Sequence, residues 1–479
     1  MISSADGVPL VVDLDNTLIR GDVAVEALVK AVRQGAPGGL VRCLARGAAA
    51  TKTWLARRVP PDASTLAYRD EVIALIADAR AAGRPVILAT AAHWRTARRV
   101  AAAVGSFDAV LASSRRRNLK GGAKLAAIRA HLGGAPFDYV GDAPADRPLW
   151  QAARVAYTVG VDTGVAGEVR LATPAGRWRA LAKAARPHQW AKNALVFVPL
   201  VTSGRLTQVA EIANALIAFA CLSLIASSIY LVNDVLDIDA DRAHARKRHR
   251  PIAAGTLTVP AALVAAVIGT VAGLGAGAAL LGPAGFAALA GYCGLTLAYS
   301  FRLKAAMIAD VLTLACLYTI RIIAGAAAIA VPVSVWLLLF SIFLFLSLGY
   351  LKRYVELRGS TRDSHELLSG RGYVPGDEGI VAMNGVGAGM VSVLVLALFA
   401  EAMGRGHSYA SPVLLWLLPL PLLYWLNRIW MMGRRGEVDS DPVAFALTDR
   451  KSLVVAGLVA AILLAAKFLP ILADALPLA

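Results

Sequence analysis

The stretch of this sequence best equipped for chemistry is the acidic segment, residues 233–241, which reads NDVLDIDAD. It follows a long apolar run and precedes a basic run at 242–250. On a helix that turns by about 100° per residue, Asp239 points away from the face that the amide and the other carboxylates share. The residues on that face are Asn233, Asp234, Asp237 and Asp241.

Carboxylates crowded on one face at a membrane boundary raise the free energy unless a cation neutralises them. Mg²⁺ is the natural candidate, because it prefers oxygen ligands and shares them with substrate phosphates. The acidic segment therefore predicts a site for Mg²⁺ and a diphosphate. The alternative is a solvated helix end that is acidic without binding metal, and the basic run that follows argues against it.

Composition divides the chain into two parts. With 57% hydrophobic residues and a mean hydropathy of +0.60, it is too apolar for an ordinary soluble protein. Residues 1–185 nevertheless have the composition of a soluble domain, and residues 190–479 that of consecutive membrane helices. The net charge of +17 indicates cationic cytoplasmic loops and contact with anionic lipid. There is no aromatic–basic binding motif, so we expect no nucleic-acid partner.

Polar residues in the first 165 positions follow the ends of predicted strands. Asp13 and Asp15 come after an apolar run at 8–12, and Thr90 ends a second run at 85–90. Further along the chain come Lys120, Asp142 and Asp146. Because helical patterns separate the apolar runs, the sequence predicts a doubly wound α/β sheet over residues 1–165, with its ligand crevice at the carboxyl ends of the strands.

In chain order these motifs are DxDxT, a strand-end threonine, a lysine and GDxxxD, and they resemble the haloacid dehalogenase superfamily of phosphatases. The resemblance implies that Asp13 is a nucleophile that forms an aspartyl-phosphate and that Asp15 is the general acid and base. Thr90 would bind the phosphoryl oxygens, and Lys120 would balance the negative charge. Lys124 is the alternative for the lysine role; we prefer Lys120 because it precedes a glycine, as in many relatives.

The resemblance also implies Mg²⁺ beside the nucleophile, because an anion attacks an anionic phosphate. The residues implied to hold it are Asp13, Asp15, Asp142 and Asp146. The alternative is a degenerate phosphatase fold kept as a scaffold, although every polar motif position is intact. In this superfamily residues 22–68 would form a small helical cap over the active site. The basic face of this cap either lies on anionic lipid or is solvated.

The rest of the chain predicts an all-α membrane domain. Residues 166–189 form a basic, amphipathic linker that we expect to run along the membrane surface. Residues 190–479 contain eight full-length apolar spans and one shorter first span, so we expect about nine transmembrane helices. The predicted spans are 193–203, 207–232, 259–282, 284–300, 306–329, 333–350, 380–403, 411–430 and 452–472.

The distribution of cations predicts the orientation of these spans. Lysines and arginines cluster after the even-numbered spans, which indicates that those loops are cytoplasmic. If all nine spans cross, the acidic segment and the phosphatase domain both face the cytoplasm. The apolar run at 8–12 is too short for the core of a signal peptide, so we expect none before the first domain. We therefore expect a multi-pass protein of the bacterial cytoplasmic membrane.

The NDxxDxxxD pattern after the second span resembles the UbiA superfamily of intramembrane prenyltransferases over residues 190–479. Familiar members hold a prenyl diphosphate through Mg²⁺ with two acidic motifs. The second motif departs from that pattern here, because Asp310 is present but Leu314 stands where another acid is expected. Arg321 lies on the same helical face as Asp310, and a buried arginine in a membrane helix is a functional signal.

The RPHQWxKN stretch at 186–193 and the segment 441–450 make the chain similar to one branch, the decaprenyl-phosphate phosphoribosyltransferases of mycobacterial cell-wall synthesis. In that branch phosphoribosyl pyrophosphate is the donor and a lipid phosphate is the acceptor. The resemblance implies that Asp237 and Asp241 are catalytic through Mg²⁺ and that polar and cationic groups bind the phosphates. The implied substrate-binding residues are Lys192, Asn233, Asp234, Lys247, Arg248, Tyr299, Lys304, Asp310, Arg321, Lys352 and Arg353.

The fusion of the two domains favours a two-step enzyme. A phosphoribosyl lipid carries a 5-phosphate, which a phosphatase on the same chain would remove to give a polyprenylphosphoryl ribose. One alternative is an aromatic or quinone prenyltransferase that uses a prenyl diphosphate and carries a phosphatase of separate role. Another is a lipid-binding membrane module with an inactive phosphatase domain. For Lys352 and Arg353, an ion pair with Glu356 is the alternative to a substrate role. The sequence leaves the prenyl chain length and homo-oligomer formation open.

Overall fold

The computed structural model describes residues 7–35, 37–115, 117–164, 167–172, 176–359, 372–404, 409–438 and 441–469. The chain packs into two compact units. The first comprises Met1–Ala185 and Tyr230–Ala266, and the second comprises Arg186–Ile229 and Val267–Ala479. The acidic segment therefore packs in the same unit as the α/β domain, although the sequence boundary at residue 190 assigns it to the membrane domain.

The α/β domain is built on a six-stranded parallel sheet with the order β3-β2-β1-β4-β5-β6. The strands are β1 (Leu10–Val12), β2 (Val86–His93), β3 (Ala109–Ser113), β4 (Asp138–Gly141), β5 (Ala156–Val159) and β6 (Val169–Ala172). Strand β1 lies between β2 and β4. Its three residues are fully buried and point alternately into the cores on the two faces of the sheet. The predicted doubly wound fold is confirmed.

Helices cover both faces of this sheet. They are α4 (Asp70–Ala81), α5 (Trp94–Val104), α6 (Gly122–Leu132) and α7 (Arg147–Ala152). Leu10 and Val12 pack with residues of α4 and α5 on one face. Val11 packs with Ile128 of α6 and Trp150 of α7 on the other. This layering fixes the carboxyl ends of β1 and β4 side by side, where the polar motifs lie.

Three helices between β1 and β2 form the predicted cap. They are α1 (Val23–Arg33), α2 (Pro37–Leu44) and α3 (Ala48–Arg58). Helix α1 packs on α3 through a small apolar core that contains Ala27, Ala31, Leu55 and Val59. Asp22 caps α1 by accepting hydrogen bonds from the amides of Ala24 and Val25 at 2.8 and 3.1 Å, which satisfies two donors of its first turn.

The segment predicted as an amphipathic linker contains two ordered elements. Its first part forms strand β6, which pairs with β5 at the edge of the sheet, so residues 169–172 belong to the α/β domain and the linker assignment is corrected there. Alternating apolar and basic residues (Val169, Arg170, Leu171) suit a half-exposed edge strand as well as a helix. The second part forms α8 (Arg177–Ala184).

Among the described residues, eight helices are long and apolar enough to cross a membrane. They are Val209–Leu236, Val259–Leu280, Gly282–Phe301, Ala309–Ala328, Val335–Gly359, Pro375–Ala402, Pro412–Arg435 and Arg450–Phe468. Their regular helices are α10 (Val209–Leu236), α12 (Val259–Leu280), α13 (Gly282–Phe301), α14 (Ala309–Ala328), α15 (Val335–Gly359), α16 (Glu378–Gly404), α17 (Pro419–Arg435) and α19 (Arg450–Phe468). These match the eight full-length spans predicted from the sequence.

The shorter first span differs from a regular helix. Pro187–Phe197 is 3₁₀-helical and leads into a short helix, α9 (Val198–Thr202). Gly325 of α14 lies against it, and a Cβ at Gly325 would come within 2.0 Å of the Val196 carbonyl oxygen. The orientation predicted from nine crossings depends on this segment and stays a prediction.

The acidic segment is a broken helix rather than a continuous one. Helix α10 ends at Leu236, and a short helix α11 (Ile238–Ala243) follows. At the junction Asp237 has φ −100° and ψ 15°, outside the helical region. The expectation of one uninterrupted helical face from Asn233 to Asp241 is therefore wrong. Another short helix, α18 (Pro442–Thr448), precedes α19 in the second unit.

Candidate active sites

The loop after β1 positions the first two acids of the phosphatase motif. Asn16 adopts a left-handed conformation with φ +54°, which asparagine tolerates better than most residues. The tight turn aims the two neighbouring carboxylates differently. Asp13 accepts a hydrogen bond from the Leu14 amide at 2.8 Å. Asp15 accepts one from the Val23 amide at 2.9 Å, in the first turn of α1.

Three carboxylates converge around one lysine. Ligand atoms of Asp13, Asp142 and Asp146 all lie within 4.8 Å of one another. Lys124 Nζ, from α6, lies 2.9 Å from Asp13 Oδ2 and 3.2 Å from Asp146 Oδ1. Thr17 Oγ1 donates a hydrogen bond to Asp142 Oδ1 at 3.0 Å. Carboxylate oxygens from the segments that follow β1 and β4 thus meet at one edge of the sheet.

This arrangement fits a magnesium ion. The oxygens are hard donors of the kind that Mg²⁺ selects, and Asp146 Oδ2 is buried without a hydrogen-bond partner among the described residues. A buried acceptor of this kind costs free energy unless something binds it. Asp15, which the sequence analysis also assigned to the metal, is outside the group of three and lies instead at the amino terminus of α1.

The charges of these acids are strongly coupled to their surroundings. Burial, together with the charge of Asp13, raises the pKa of Asp142 to about 7. Burial also raises the pKa of Asp13, although Lys124 opposes the rise. The pKa of Asp15 is well above its usual value because of burial and the nearby charge of Asp22. A raised pKa favours the protonated form that a general acid needs, so the local chemistry suits the role expected for Asp15.

The cap closes this cluster into a cavity of about 230 Å³. The α/β domain contributes the acids and residues 91–93, and α1 contributes Val23, Ala24 and Ala27. Helix α3 contributes Lys52, whose Nζ donates a hydrogen bond to the Ala91 carbonyl at 2.7 Å. The cavity therefore joins a phosphatase-like acid cluster to a basic group of the cap.

The two candidates for the charge-balancing lysine, Lys120 and Lys124, differ in burial and in contacts. Lys120 lines the cavity but is exposed. Lys124 is buried and contacts Asp13 and Asp146 directly. The geometry therefore favours Lys124 for the charge-balancing role assigned to Lys120. Both occur near the start of α6, one turn apart, and their spacing alone could not tell which would turn inward.

Thr90 lies fully buried in β2. Its hydroxyl accepts a hydrogen bond from the Ala92 amide at 2.9 Å, and Ala92 lines the cavity. In this conformation the hydroxyl shapes the end of the strand. Its expected contact with phosphoryl oxygens stays a prediction.

In the acidic segment, most carboxylates face a cation from another element. Asp234 and Asp241 are buried and share Arg250, whose Nη1 lies 3.3 Å from Asp234 Oδ1 and 2.7 Å from Asp241 Oδ2. Asp237 Oδ1 lies 3.3 Å from Arg33 Nη1. Asp239 pairs with Lys30. Arg33 and Lys30 both belong to α1, so the cap supplies two of these partners.

The acidic segment also offers hard oxygen donors that suit Mg²⁺. Asn233 Oδ1 is buried and has no hydrogen-bond partner among the described residues, which fits a metal or ligand contact. The segment is nevertheless arranged differently from the phosphatase cluster. No three of its acids meet the 4.8 Å criterion within the part of the chain that the structure describes. Lys247 and Arg248, predicted to bind phosphate, are exposed in the 3₁₀ turn Lys247–His249.

Within the second unit, Asp310 lies at the centre of a buried polar network. Arg353 Nε donates to its Oδ2, and Tyr373 OH donates to its Oδ1 at 2.8 Å. Arg353 also pairs with Glu356 and donates from Nη2 to Tyr299 OH at 3.3 Å. The ion pair with Glu356, considered as an alternative, is therefore present.

A strained turn adjoins this network. Ile308 has φ +66°, a conformation that a β-branched residue rarely adopts. The Ala309 amide donates to the Met307 carbonyl at 2.7 Å across the turn, and the Ile308 amide donates to Tyr373 OH at 2.9 Å. Tyr373 therefore ties a strained backbone to Asp310. Lys304 lies shortly before, in the turn Leu303–Ala305. Strain of this kind is concentrated at functional sites.

A second group in this unit surrounds Asp441. Lys192 forms an ion pair with it. Burial raises the pKa of Asp441, but the charges of Lys192 and Lys352 outweigh burial and lower the pKa overall. The structure thus brings together two predicted phosphate-binding lysines that are 160 residues apart in the sequence. Asp441 also caps α18 through the amides of Val443 and Ala444.

Arg321 is buried and bound by protein groups. Its Nε donates to Asn193 Oδ1 at 2.8 Å, and its Nη2 donates to Tyr292 OH at 3.1 Å. Its Nη1 donates to the Leu317 carbonyl. The guanidinium also stacks over Tyr292 and Tyr318. These contacts indicate a packing role that links α14 to the 187–197 segment, alongside the substrate role predicted from the sequence.

Several site residues were missed by sequence reasoning. Arg250 lies in the recognised basic run, but only the fold shows that it reaches the acids in place of Lys247 and Arg248. Tyr373 has no local signal because its partner lies 63 residues away. The contacts of α1 with the acidic segment likewise join positions about 200 residues apart.

Comparison with known proteins supports both domains. The model of the UbiA prenyltransferase family matches residues 196–448, and that of haloacid dehalogenase-like hydrolases matches residues 42–151. The uncharacterized protein y4nM of Sinorhizobium fredii is 36% identical over 468 residues, covering 94% of this chain and 90% of that protein. The nodulation protein NoeC of Azorhizobium caulinodans is 37% identical over 276 residues, 57% of this chain and 88% of NoeC.

Other matches cover less of the chain. The decaprenyl-phosphate phosphoribosyltransferase of Mycobacterium tuberculosis is 42% identical over 195 residues, which are 40% of this chain and 64% of that protein. A solved structure of a UbiA homologue from Archaeoglobus fulgidus bound to DMAPP and Mg²⁺ aligns with a TM-score of 0.47 and 16% identity, covering 60% of this chain and 99% of that one.

Proposed function

Because the chain belongs to the UbiA prenyltransferase family and also carries a haloacid dehalogenase-like hydrolase domain, we propose that it makes a polyprenylphosphoryl ribose in two steps. The first step transfers 5-phosphoribosyl from phosphoribosyl pyrophosphate to a polyprenyl phosphate. The second removes the 5-phosphate. The name of the mycobacterial relatives supports the first step, and the acid cluster around Lys124 supports the second.

In the transfer step, an oxygen of the lipid phosphate attacks C1 of the ribose. The bond from C1 to the diphosphate oxygen breaks, and pyrophosphate leaves with the bonding electrons. The acidic segment binds the donor diphosphate. Lys192 and Lys352, which both act on the charge of Asp441, are the lysines that we expect to bind phosphate. We further propose that the acidic segment and the phosphatase face the cytoplasm of a bacterial cell, as the cation distribution predicts.

In the hydrolytic step, an oxygen of Asp13 attacks the phosphorus of the 5-phosphate. The ribose 5-oxygen leaves and takes a proton from Asp15, whose raised pKa keeps that proton available. Asp15 then removes a proton from the water that hydrolyses the aspartyl-phosphate. Lys124 balances the negative charge on Asp13 and on the phosphoryl group throughout.

Mg²⁺ would be held by Asp13, Asp142 and Asp146 in the phosphatase. In the transferase it would be held by oxygens of the acidic segment, which are those of Asn233, Asp234, Asp237 and Asp241. When bound, the ion neutralises phosphate charge in the transition state and on the leaving group. The buried oxygens Asp146 Oδ2 and Asn233 Oδ1 are the observations that favour a cation at each place.

The observation that carries the two-step proposal is the intact phosphatase constellation in the same compact unit as the acidic segment. To test it, the purified full-length chain is incubated with phosphoribosyl pyrophosphate, a polyprenyl phosphate and Mg²⁺, and the lipid products are identified by mass spectrometry. The wild-type protein should give the dephosphorylated ribosyl lipid. The Asp13→Asn protein should accumulate the 5-phosphorylated lipid at an unchanged rate of transfer.

Two outcomes would contradict the proposal. If Asp13→Asn gives the same dephosphorylated lipid as the wild type, the phosphatase has another substrate. If the chain instead alkylates an aromatic acceptor with a prenyl diphosphate and ignores phosphoribosyl pyrophosphate, it is a prenyltransferase with a phosphatase of separate role.

A further inference from the structure

Helix α1 of the cap has one polar face directed at the acidic segment and its continuation in α11. Glu26, Lys30 and Arg33 are four and three residues apart, which places them on the same side of a helix. Arg242 binds Glu26 through both terminal nitrogens, at 2.8 and 2.9 Å. The side chains of this pair are only 5% and 11% exposed. A bidentate, nearly buried pair has a defined geometry, unlike a mobile surface pair.

The other contacts of α1 fall on the break in the helix. Leu236 is the last residue of α10, and its carbonyl accepts a hydrogen bond from Arg33 Nη1 at 2.7 Å. The same nitrogen lies near Asp237, and Lys30 pairs with Asp239. Carbonyls at a helix end lack partners within the helix, so Arg33 satisfies one of them and stabilises the chain at the point where α10 stops.

Apolar packing supports these polar contacts. Val25 and Val29 of α1 pack against a buried cluster that contains Val235, Ile238 and Ile252. Residues on either side of Asp237 are thus held by the same cap helix. Gly255 lies close to the loop that precedes the cap, since a Cβ there would come within 2.2 Å of the Arg20 carbonyl oxygen.

The opposite face of α1 serves the phosphatase. Val23, Ala24 and Ala27 line the phosphatase cavity, and Asp15 accepts a hydrogen bond from the Val23 amide. One helix therefore lines the phosphatase cavity and also contacts the acidic segment. The proposed phosphatase reaction does not use Glu26, Lys30 or Arg33. It therefore gives no reason for these residues to lie on the face of α1 that meets the acidic segment.

We propose that α1 is a positioning element of the transferase, with the pair of Glu26 and Arg242 as the positioning residues that hold the acidic segment ready for Mg²⁺ and diphosphate. Glu26 orients Arg242, and Arg242 fixes α11 by also donating to the Ala253 carbonyl at 3.1 Å. Without this anchor, repulsion among Asp237, Asp239 and Asp241 would loosen α11. This inference rests on the proposed transfer reaction.

The test uses charge exchange in the full-length chain. The proteins compared are the wild type, Glu26→Gln, Glu26→Arg, Arg242→Glu and the Glu26→Arg/Arg242→Glu double variant. For each we measure the initial rate of transfer against Mg²⁺ concentration, hydrolysis of a small soluble phosphate ester, and amide hydrogen exchange over residues 236–243. The ester assay reports the phosphatase fold and site independently of the transferase.

Each single charge reversal should lower the transfer rate at low Mg²⁺ by about tenfold or more, as expected for breaking a coupled buried pair. Higher Mg²⁺ should recover part of the loss, and exchange over 236–243 should speed up. Glu26→Gln should have a smaller effect. Ester hydrolysis should stay within about twofold of the wild type, and the double variant should regain most of the transfer rate because it restores the pair.

The inference is overturned if the single variants transfer as fast as the wild type with unchanged exchange. It is also overturned if transfer and ester hydrolysis fall together and the double variant restores neither. If the wild-type chain makes no phosphoribosyl lipid, the proposed function fails instead. Hydrogen exchange over 236–243, with and without Mg²⁺, still decides whether the pair positions the segment.

Discussion

The two acid clusters of the first unit use the same kind of ligand in opposite ways. In the phosphatase, carboxylates that are far apart in the sequence converge on one buried lysine. In the acidic segment, carboxylates that are neighbours in the sequence turn to several partners: Arg250, Arg33 and Lys30. Parallel strands end at one edge of a sheet and bring their loops together, whereas a helix rotates successive residues by about 100°.

This difference predicts two kinds of metal site. The metal site that we propose for the hydrolase-like domain is preformed, because its oxygens already lie within 4.8 Å of one another and Lys124 offsets only part of their charge. At the acidic segment a cation must compete with arginines that already neutralise the acids. Mg²⁺ should therefore bind there mainly together with a diphosphate. When a carboxylate leaves its arginine to bind the metal, the negative charge of the diphosphate can pair with that arginine instead.

The largest effect is expected from removing the lysine at the convergence point. Lys124→Ala should reduce hydrolysis of a phosphate ester by about 10²–10³-fold, because a buried group that stabilises the reacting charge is lost. Lys120→Ala is the matched control from the same helix end and should cost less than about tenfold, as expected for an exposed group at the rim.

Rates and thermal stability of both lysine variants should be measured together. Lys124→Ala leaves two buried carboxylates and a half-buried one with less positive charge, so its melting temperature should fall in the absence of Mg²⁺ and recover when Mg²⁺ is added. If Lys120→Ala lowers hydrolysis more than Lys124→Ala does at equal stability, then Lys120 is the charge-balancing lysine, as predicted from the sequence. The geometric argument for Lys124 then fails.

The next effect concerns the buried acids of the other cluster. Asp241→Asn keeps the shape of a side chain that is held by Arg250 but removes its charge. Transfer should fall by at least about a hundredfold, as expected for loss of the metal ligand that we propose, because such a ligand contributes several kcal/mol to stabilising the transition state. Ester hydrolysis by the same protein should be unchanged. Comparable loss of both activities would show that the two clusters are not independent sites.

The difference between converging strand ends and a broken helix also explains why the sequence predicted one cluster better than the other. Asp13, Asp142 and Asp146 could be placed together because strand-end motifs in a parallel sheet have one meeting point. Helical periodicity predicted that Asp239 stands apart from the other acids, but Asp237 and Asp239 both pair with α1. Periodicity also could not show the break at Asp237. At that break Leu236 and Asp237 contact Arg33 of the cap, about 200 positions earlier in the chain, and local periodicity cannot predict such contacts.

The membrane domain shows the same limit. Long apolar runs fixed the eight regular spans, because length and composition are enough to identify them. Pro187–Phe197 is instead 3₁₀-helical and packs closely against Gly325, and strand β6 pairs with β5 at the edge of the sheet. Neither is encoded in local periodicity.

A metal titration can sharpen the contrast between preformed and competed sites. Mg²⁺ alone should stabilise the wild-type chain by about 1–3 kcal/mol at concentrations well above its dissociation constant. Asp142→Asn should remove most of that gain, since it deletes one of three converging oxygens. Asp241→Asn should remove little of it unless pyrophosphate is present. The melting temperature, recorded with Mg²⁺, with Mg²⁺ and pyrophosphate, and with a chelator, gives all three comparisons; equal losses in both variants would mean that both sites are preformed.

The smallest effect is expected at Asp239, the most exposed of the four carboxylates in the acidic segment. Its carboxylate is 40% exposed and pairs with Lys30, itself 31% exposed. An exposed pair of this kind contributes about 0.2–1 kcal/mol, so Asp239→Asn should change the transfer rate by no more than about fivefold. Asp237→Asn, two residues away and beside Arg33, is the matched comparison and should be far more damaging. Complete loss of transfer in Asp239→Asn would show that this carboxylate, too, binds the metal and that its pairing with Lys30 is broken in the working enzyme.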